Sequence, residues 1–473
     1  MARRCHMSAR YTLHDDGERT PKTRHRALAL GTLSIALISA AAVLLRTQSA
    51  SDSPLAARLR ELSAAHQAGL LTDEELASTK SHILREFVGI SSSVGIAEEI
   101  VKAPLVHSSS RRRSFTHPAP TQSTPAADRM AMARAAGEAF DTLIWSDEFS
   151  GGAINMSTWR HEISMGGGGN WEFEMYINNR SNSFVRDGKL HLRPTLTQET
   201  LDIATASLDL WGGQPADTCT SNAFFGCQRD AANGLLNPVQ SARLRTAESF
   251  AFRYGRLEVR AKLPRGDWLW PAIWLLPRDQ QYGPWPASGE IDLVESRGNA
   301  AGYAAGGVDR VSSTLHFGPH WPEDGWARGA HAEATTATTG GASFADGFHT
   351  YGLVWTADGL TTYIDDPANV LLDVPVGPGG FWQRGRWNGT RYDRPWAGGG
   401  RDAPFDQHFF LVFNVAAGGT NGYFPDGLGG KPWADASPTA ASDFWAARDE
   451  WLPTWGEGGT ESAMVIDWVR VYQ

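Results

Sequence analysis

The eight residues Arg256-Leu257-Glu258-Val259-Arg260-Ala261-Lys262-Leu263 alternate charged and apolar side chains without a break. A helix would scatter the four apolar residues around its axis. A strand, whose side chains point alternately to opposite faces, gathers all four on one side. The segment therefore predicts a half-exposed antiparallel strand. Tyr351 to Thr356, Thr361 to Ile364, His408 to Val415 and Met464 to Tyr472 read as further strands, with Ala357-Asp358-Gly359 as a turn. Strands do not alternate with helices, so the expected fold of residues 141–473 is all-β: an antiparallel two-sheet β-sandwich of the jelly-roll, concanavalin-like kind. The 50 Gly and 19 Trp among 473 residues suit such a loop-rich protein. Most of the indoles are expected in the core, and a minority as flat platforms for sugar rings. A net charge of -9 argues against nucleic acid as the main partner, because phosphate neutralisation needs clustered Lys and Arg.

The region before the sandwich has a different character. Residues 1–26 carry seven Arg or Lys against three acids and precede the uncharged run Ala27 to Leu45. That run approaches the roughly 20 residues that span a bilayer, and basic residues ahead of it favour a cytosolic tail. It reads as a membrane-anchor helix, which makes the chain a single-pass type II membrane protein with its bulk lumenal or extracellular. Cleavage of residues 27–45 as a signal segment, releasing a secreted protein, is the alternative. Residues 55–87 read as a short helical stalk, with Leu55, Leu59 and Leu62 at helical spacing and a capping box at Thr72-Asp73-Glu74-Glu75. This stretch resembles the SHOCT-type helical module, which implies self-association; an ordinary helical spacer is the plain alternative. Residues 88–140, rich in Ser, Ala, Pro and Arg, read as a flexible linker. Cys219 and Cys227 bracket a short loop and are expected to form a disulfide if the chain is exported, or to remain free thiols if it is not.

The chemistry concentrates in Gly289-Glu290-Ile291-Asp292-Leu293-Val294-Glu295. In a regular strand Glu290 and Asp292 share a face, whereas Glu295, an odd number of residues away, points to the other. One β-bulge between Asp292 and Glu295 restores the parity and lines up three carboxyls. Like charges so placed raise at least one pKa. That asymmetry serves glycoside hydrolysis, which uses one carboxylate and one carboxylic acid on either side of the scissile bond. Spacing alone leaves retaining and inverting geometries open, and it leaves a solvated strand edge or a cation site as other readings of the acids.

The flanking motifs weigh against those readings. GGGNWEFEMYINNRSNSFVRDGKL (167–190), YGRLEVRAKLPRGDWLWPAIWLLP (254–277), SGEIDLVESRGN (288–299), STLHFG (313–318) and NVAAGGTNGYFPDG (414–427) together resemble glycoside hydrolase family 16, on its laminarinase and β-1,3-glucan-recognition branch. The resemblance implies a retaining endo-β-1,3-glucanase acting on β-1,3-glucan. In it Glu290 is the nucleophile, Glu295 the general acid/base and Asp292 the residue that tunes them. It implies cleft positions for His316, for the sugar-stacking Trp270 and Trp274, and for Asn170, Tyr176, Arg243 and Asn421, with Gly418 and Gly419 in the cleft wall. No cofactor is required for catalysis. A structural calcium, held by the carbonyls of Glu148 and Gly188 and by Asp467, is a further implication. The same branch includes non-catalytic glucan-binding proteins, which typically lack one or more of the acids, and the same covalent chemistry serves β-glucan transglycosylases. Residues 378–404, rich in Gly, Trp and Arg, read as an insertion that shapes the cleft.

Overall fold

The computed structural model describes residues 140–212, 219–338 and 340–473. The apolar run 27–45, the stalk 55–87 and the linker up to residue 139 lie outside the described residues. Among those described, no helix is long and apolar enough to cross a membrane.

Two antiparallel sheets form the sandwich. One sheet runs, in spatial order, Val370–Pro375, Gly359–Ile364, His349–Thr356, Gly255–Lys262, Met464–Tyr472, Lys189–Leu192 and Ser183–Arg186, with Leu143–Asp147 also paired to Met464–Tyr472. The other runs His331–Thr335, Arg310–His316, Glu290–Ser296, Leu269–Pro277, Phe409–Ala417, Arg243–Arg245 and Arg160–Glu162. Sequence neighbours are often not sheet neighbours: the last strand, Met464–Tyr472, lies beside Gly255–Lys262 in the middle of its sheet. Such crossings between sheets are the mark of a jelly roll.

The alternating segment behaves as its pattern dictates. Leu257, Val259 and Ala261 are fully buried, while Arg256, Glu258, Arg260 and Lys262 are half-exposed. Each buried Leu or Val contributes roughly 1.5–3 kcal/mol. They belong to the same buried core as Ile273, Leu275, Ile291, Leu293, Phe413 and Val415 of the second sheet. On the polar side Arg256 pairs with Glu258 at 2.9 Å, and Tyr363 donates to Glu258 at 2.6 Å. Asp467 lies between Arg260 and Lys189, and the Glu148 side chain is held by Arg470 at 2.8 Å. A calcium ion on Asp467 would have to displace two cations, so the donor set as folded does not favour one.

A smaller lobe packs beside the sandwich. Glu174–Tyr176 pairs in parallel with Val239–Ser241, and Ser207–Asp209 pairs with Gln228–Asp230. Ile163, Met165, Met175, Ile177 and Leu210 form a separate apolar cluster there. Cys219 and Cys227 are joined in a disulfide with 5.6 Å between their Cα atoms. Replacing both with Ser is expected to lower stability by about 2.5 kcal/mol, the entropy that so short a closed loop removes from the unfolded chain. Denaturant unfolding of the double variant checks this, and an unchanged midpoint would refute it.

Candidate active site

The strand Glu290–Ser296 sits between Leu269–Pro277 and Arg310–His316, and its register carries the irregularity on which the acids depend. Asp292 lies opposite Thr314 and Glu295 opposite Ser312, so three steps on one strand match two on its neighbour. On the other side Val294 faces Ile273 while Asp292 faces Trp274. One residue is extra, as a β-bulge requires. Ile291, Leu293 and Val294 all enter the core, which leaves Glu290, Asp292 and Glu295 on the open face. Residues opposite one another share a face. The row Glu295, Ala272, Asn414, Arg243, Glu162 therefore continues the acid face across four further strands.

Each acid has its own partner. Glu290 Oε2 accepts the Trp285 indole N–H at 2.6 Å. Glu295 Oε1 accepts the Trp270 indole N–H at 2.8 Å. Asp292 lies 3.1 Å from His316 Nε2, and His316 Nδ1 lies 2.5 Å from Asp324. The strand pairing that sets Glu290 opposite His316 places this ring. Glu290, Asp292 and His316 form a compact group with ligating atoms within 4.8 Å of one another.

Burial and the negative charge of Asp292 push the Glu295 carboxyl up to about 7, although the Trp270 hydrogen bond pulls the other way. The same two causes, burial and Asp292, hold Glu290 well above the usual carboxylate range. Burial works against a charge on His316, but hydrogen bonds to Asp292 and Asp324 outweigh it and hold the imidazole protonated well above its ordinary value. The cluster thus keeps a proton on a glutamate near neutral pH, and the imidazolium supplies the internal cation that offsets its neighbours. Removing the indole donor exposes the balance: Trp270→Phe is expected to move the basic limb of the kcat/KM profile to higher pH. A limb that stays in place would show that the Trp270–Glu295 bond does not tune the acid.

The other expected residues divide. Trp270 is 9% exposed and stacks on Tyr423 at 3.8 Å, nearly parallel. Arg297 covers the far side of Tyr423. One indole face is therefore closed, and Trp270 acts mainly as a donor to Glu295. Trp274 stays half-exposed on the open face, with its N–H given to Asn414 at 2.7 Å. Tyr176, expected to reach sugar hydroxyls, is fully enclosed, and its hydroxyl lies 3.4 Å from Arg243. Its place is to hold that guanidinium, which stacks over the Tyr176 ring at 4.4 Å and pairs with Glu162 at 3.1 Å. Arg243 is itself only 6% exposed. A Cβ at Gly168, which has positive φ, would come within 2.7 Å of Arg243, so this turn closes over the arginine as only glycine allows. The Asn170 carbonyl accepts from the Thr420 amide, tying the 418–421 loop to the 167–170 turn. Asn421 caps the turn before Tyr423 with its side-chain oxygen.

Several contributors were not anticipated. Glu172 and Glu174, between Asn170 and Tyr176 in the chain, are both buried near Arg243. Burial pushes them up, Glu172 to about 8 with help from the charge of Glu174, and Glu174 to about 7. Asp324, Tyr423 and Arg297 also went unmarked, as did Trp285 and the exposed Trp321. Two Trp-Pro dipeptides, one five residues before Glu290 and one five after His316, were the available signal for these tryptophans.

An antiparallel sandwich that gathers two glutamates and an aspartate across a bulge on one sheet face defines a class of carbohydrate-active jelly rolls. Sequence comparison makes the class specific. The family described as "Glycosyl hydrolases family 16" matches residues 209–372. A protein of Penaeus monodon named beta-1,3-glucan-binding protein is 51% identical over 344 residues, covering 71% of this chain and 91% of that one. The chain belongs to glycosyl hydrolase family 16. Beta-1,3-glucan-binding protein 1 of Manduca sexta is 31% identical over 70% of this chain, which spans 64% of the moth protein. Glucan endo-1,3-beta-glucosidase A1 of Niallia circulans is 32% identical over 59% of this chain and 34% of its own length. The chain thus spans less than two thirds of the moth and bacterial relatives.

Proposed function

We propose that the protein is a retaining endo-β-1,3-glucanase. The observation that carries this reading is the set of Glu290, Asp292 and Glu295 on one sheet face, with a carboxyl at Glu295 that stays protonated up to about pH 7. Glu290 first gives up its proton to solvent, favoured by the His316 imidazolium and the Trp285 N–H against the burial and the Asp292 charge that hold it. Its carboxylate then attacks the anomeric carbon while Glu295 gives its proton to the departing glycosidic oxygen, leaving a glycosyl ester on Glu290. Glu295, now a carboxylate, takes a proton from water, whose oxygen attacks the same carbon and releases Glu290. Asp292, set between them and ion-paired to His316, holds Glu290 in place and keeps the two glutamates unequal. No metal is needed for these steps.

The names of the shrimp and moth relatives favour a second reading, a β-1,3-glucan-binding protein without catalysis. Release of reducing sugar from laminarin separates the two. Binding without release by the parent protein would overturn the enzyme reading, and products longer than the substrate would indicate transfer to a second glucan instead of water. The disulfide supports an oxidising compartment. With the apolar run 27–45, it supports a chain anchored in a membrane or secreted across it.

A further inference from the structure

Trp285, which donates to Glu290, is 38% exposed, and beyond it stands Trp321, 67% exposed, with ring centroids 5.5 Å apart. An indole left this open in a water-facing position is uncovered apolar surface. The backbone that presents it is tightly built. A Cβ at Gly318 would strike the Glu323 carbonyl, and one at Gly325 would strike the Phe317 ring, so the 318–325 loop is folded back on itself by close approach. His320 lies edge-on to the Tyr392 ring, 5.1 Å away, and the Tyr392 hydroxyl donates to Glu323 at 2.5 Å. His320, Pro322, Glu323, Arg391, Tyr392 and Asp393 line an open cavity of about 640 Å³.

The 378–404 segment explains how this arrangement is held. Phe381, Trp382, Trp387 and Trp396 are buried. Phe317 packs against Phe381, Trp387 and Trp396, and the Trp396 indole donates to the Ala287 carbonyl at 2.6 Å. The segment is thus wedged behind both loops that carry the exposed tryptophans. From that anchored base Tyr392 reaches His320 and Glu323 of the 318–325 loop.

Resting on the glucanase reading, we propose that Trp321 and the cavity beside Tyr392 form an additional glucan-binding site that continues the cleft past its Glu290 end. A chain leaving the acids meets Trp285 first and Trp321 next. Indole faces suit the apolar C–H faces of glucose, and Glu323, Arg391 and Asp393 offer acceptors and donors for its hydroxyls. The site has no part in bond cleavage. It gives long chains a hold that short ones cannot reach.

The test is calorimetric titration of Glu290→Gln protein, with and without Trp321→Ala or Tyr392→Ala, against laminarin and against laminaritriose. Trp321→Ala is expected to weaken laminarin binding about tenfold, equivalent to roughly 1.4 kcal/mol, and laminaritriose binding less than twofold. Tyr392→Ala is expected to act in the same direction. Equal losses at both chain lengths, or no loss at either, would overturn this inference while leaving the function reading intact. Absence of laminarin binding by the Glu290→Gln protein itself would overturn the function reading and this inference with it.

Discussion

Glu290→Gln is expected to lower laminarin hydrolysis by at least about four orders of magnitude while the protein still binds the polysaccharide. The amide is nearly isosteric, can still accept from the Trp285 indole, and keeps the strand pairing opposite His316. It cannot form the glycosyl ester. The carboxyl it replaces is one whose ionisation burial and Asp292 already resist, so no loss of fold is expected. Reducing-sugar release and laminarin binding, measured on the same preparation, check both halves. Hydrolysis within tenfold of the parent would reject Glu290 as nucleophile.

Glu295→Gln should reduce hydrolysis of glucan by about 10²–10⁴-fold, the usual contribution of a positioned proton donor. The loss should shrink sharply on an aryl glucoside whose leaving group departs without a proton, because only the donation is missing in the first step. An equal loss on both substrates would mean that Glu295 does something other than protonate the leaving oxygen. The pH behaviour gives a second check. In the parent, kcat/KM is expected to fall as pH rises past about 7, when Glu295 gives up its proton. In the variant that limb should vanish. Stability should move in the same direction with pH. A carboxyl harder to ionise in the folded than in the unfolded state contributes stability at acid pH that is lost as pH rises from its ordinary range toward about 7. Glu295→Gln should therefore lose less stability than the parent as pH rises from 4.5 to about 7.

The sandwich was legible because strands with one buried face write their period into the chain. The alternation at 256–263 reappears as a strand with its apolar residues inward, and the strands expected at His408 to Val415 and Met464 to Tyr472 form as Phe409–Ala417 and Met464–Tyr472. The acid face was legible because strand parity is arithmetic: the odd step from Glu290 to Glu295 demanded a bulge at the place where the register shifts. Contacts between distant loops left no such trace. Nothing near Trp270 in sequence announces that Tyr423 will cover one of its faces, or that Asp324 will grip the far nitrogen of His316. Tyr176 was misjudged for a related reason. The family resemblance implied a sugar contact, but the turn at Gly167–Gly169 and the arginine above it close the position off, and burial of that kind depends on tertiary packing.

The extra residue in the acid strand also constrains how the gene can drift. Loss of one codon between Asp292 and Glu295 would turn the bulged segment into a plain alternating one, and all three carboxyls would still look outward. Gain of one codon would also restore an even step, now six residues from Glu290, but would carry the second glutamate a further two residues, roughly 7 Å, along the strand from Asp292 relative to the shortened form. Length changes at this point are therefore lopsided in their consequences: shortening costs hydrophobic packing, whereas lengthening strikes directly at the chemistry.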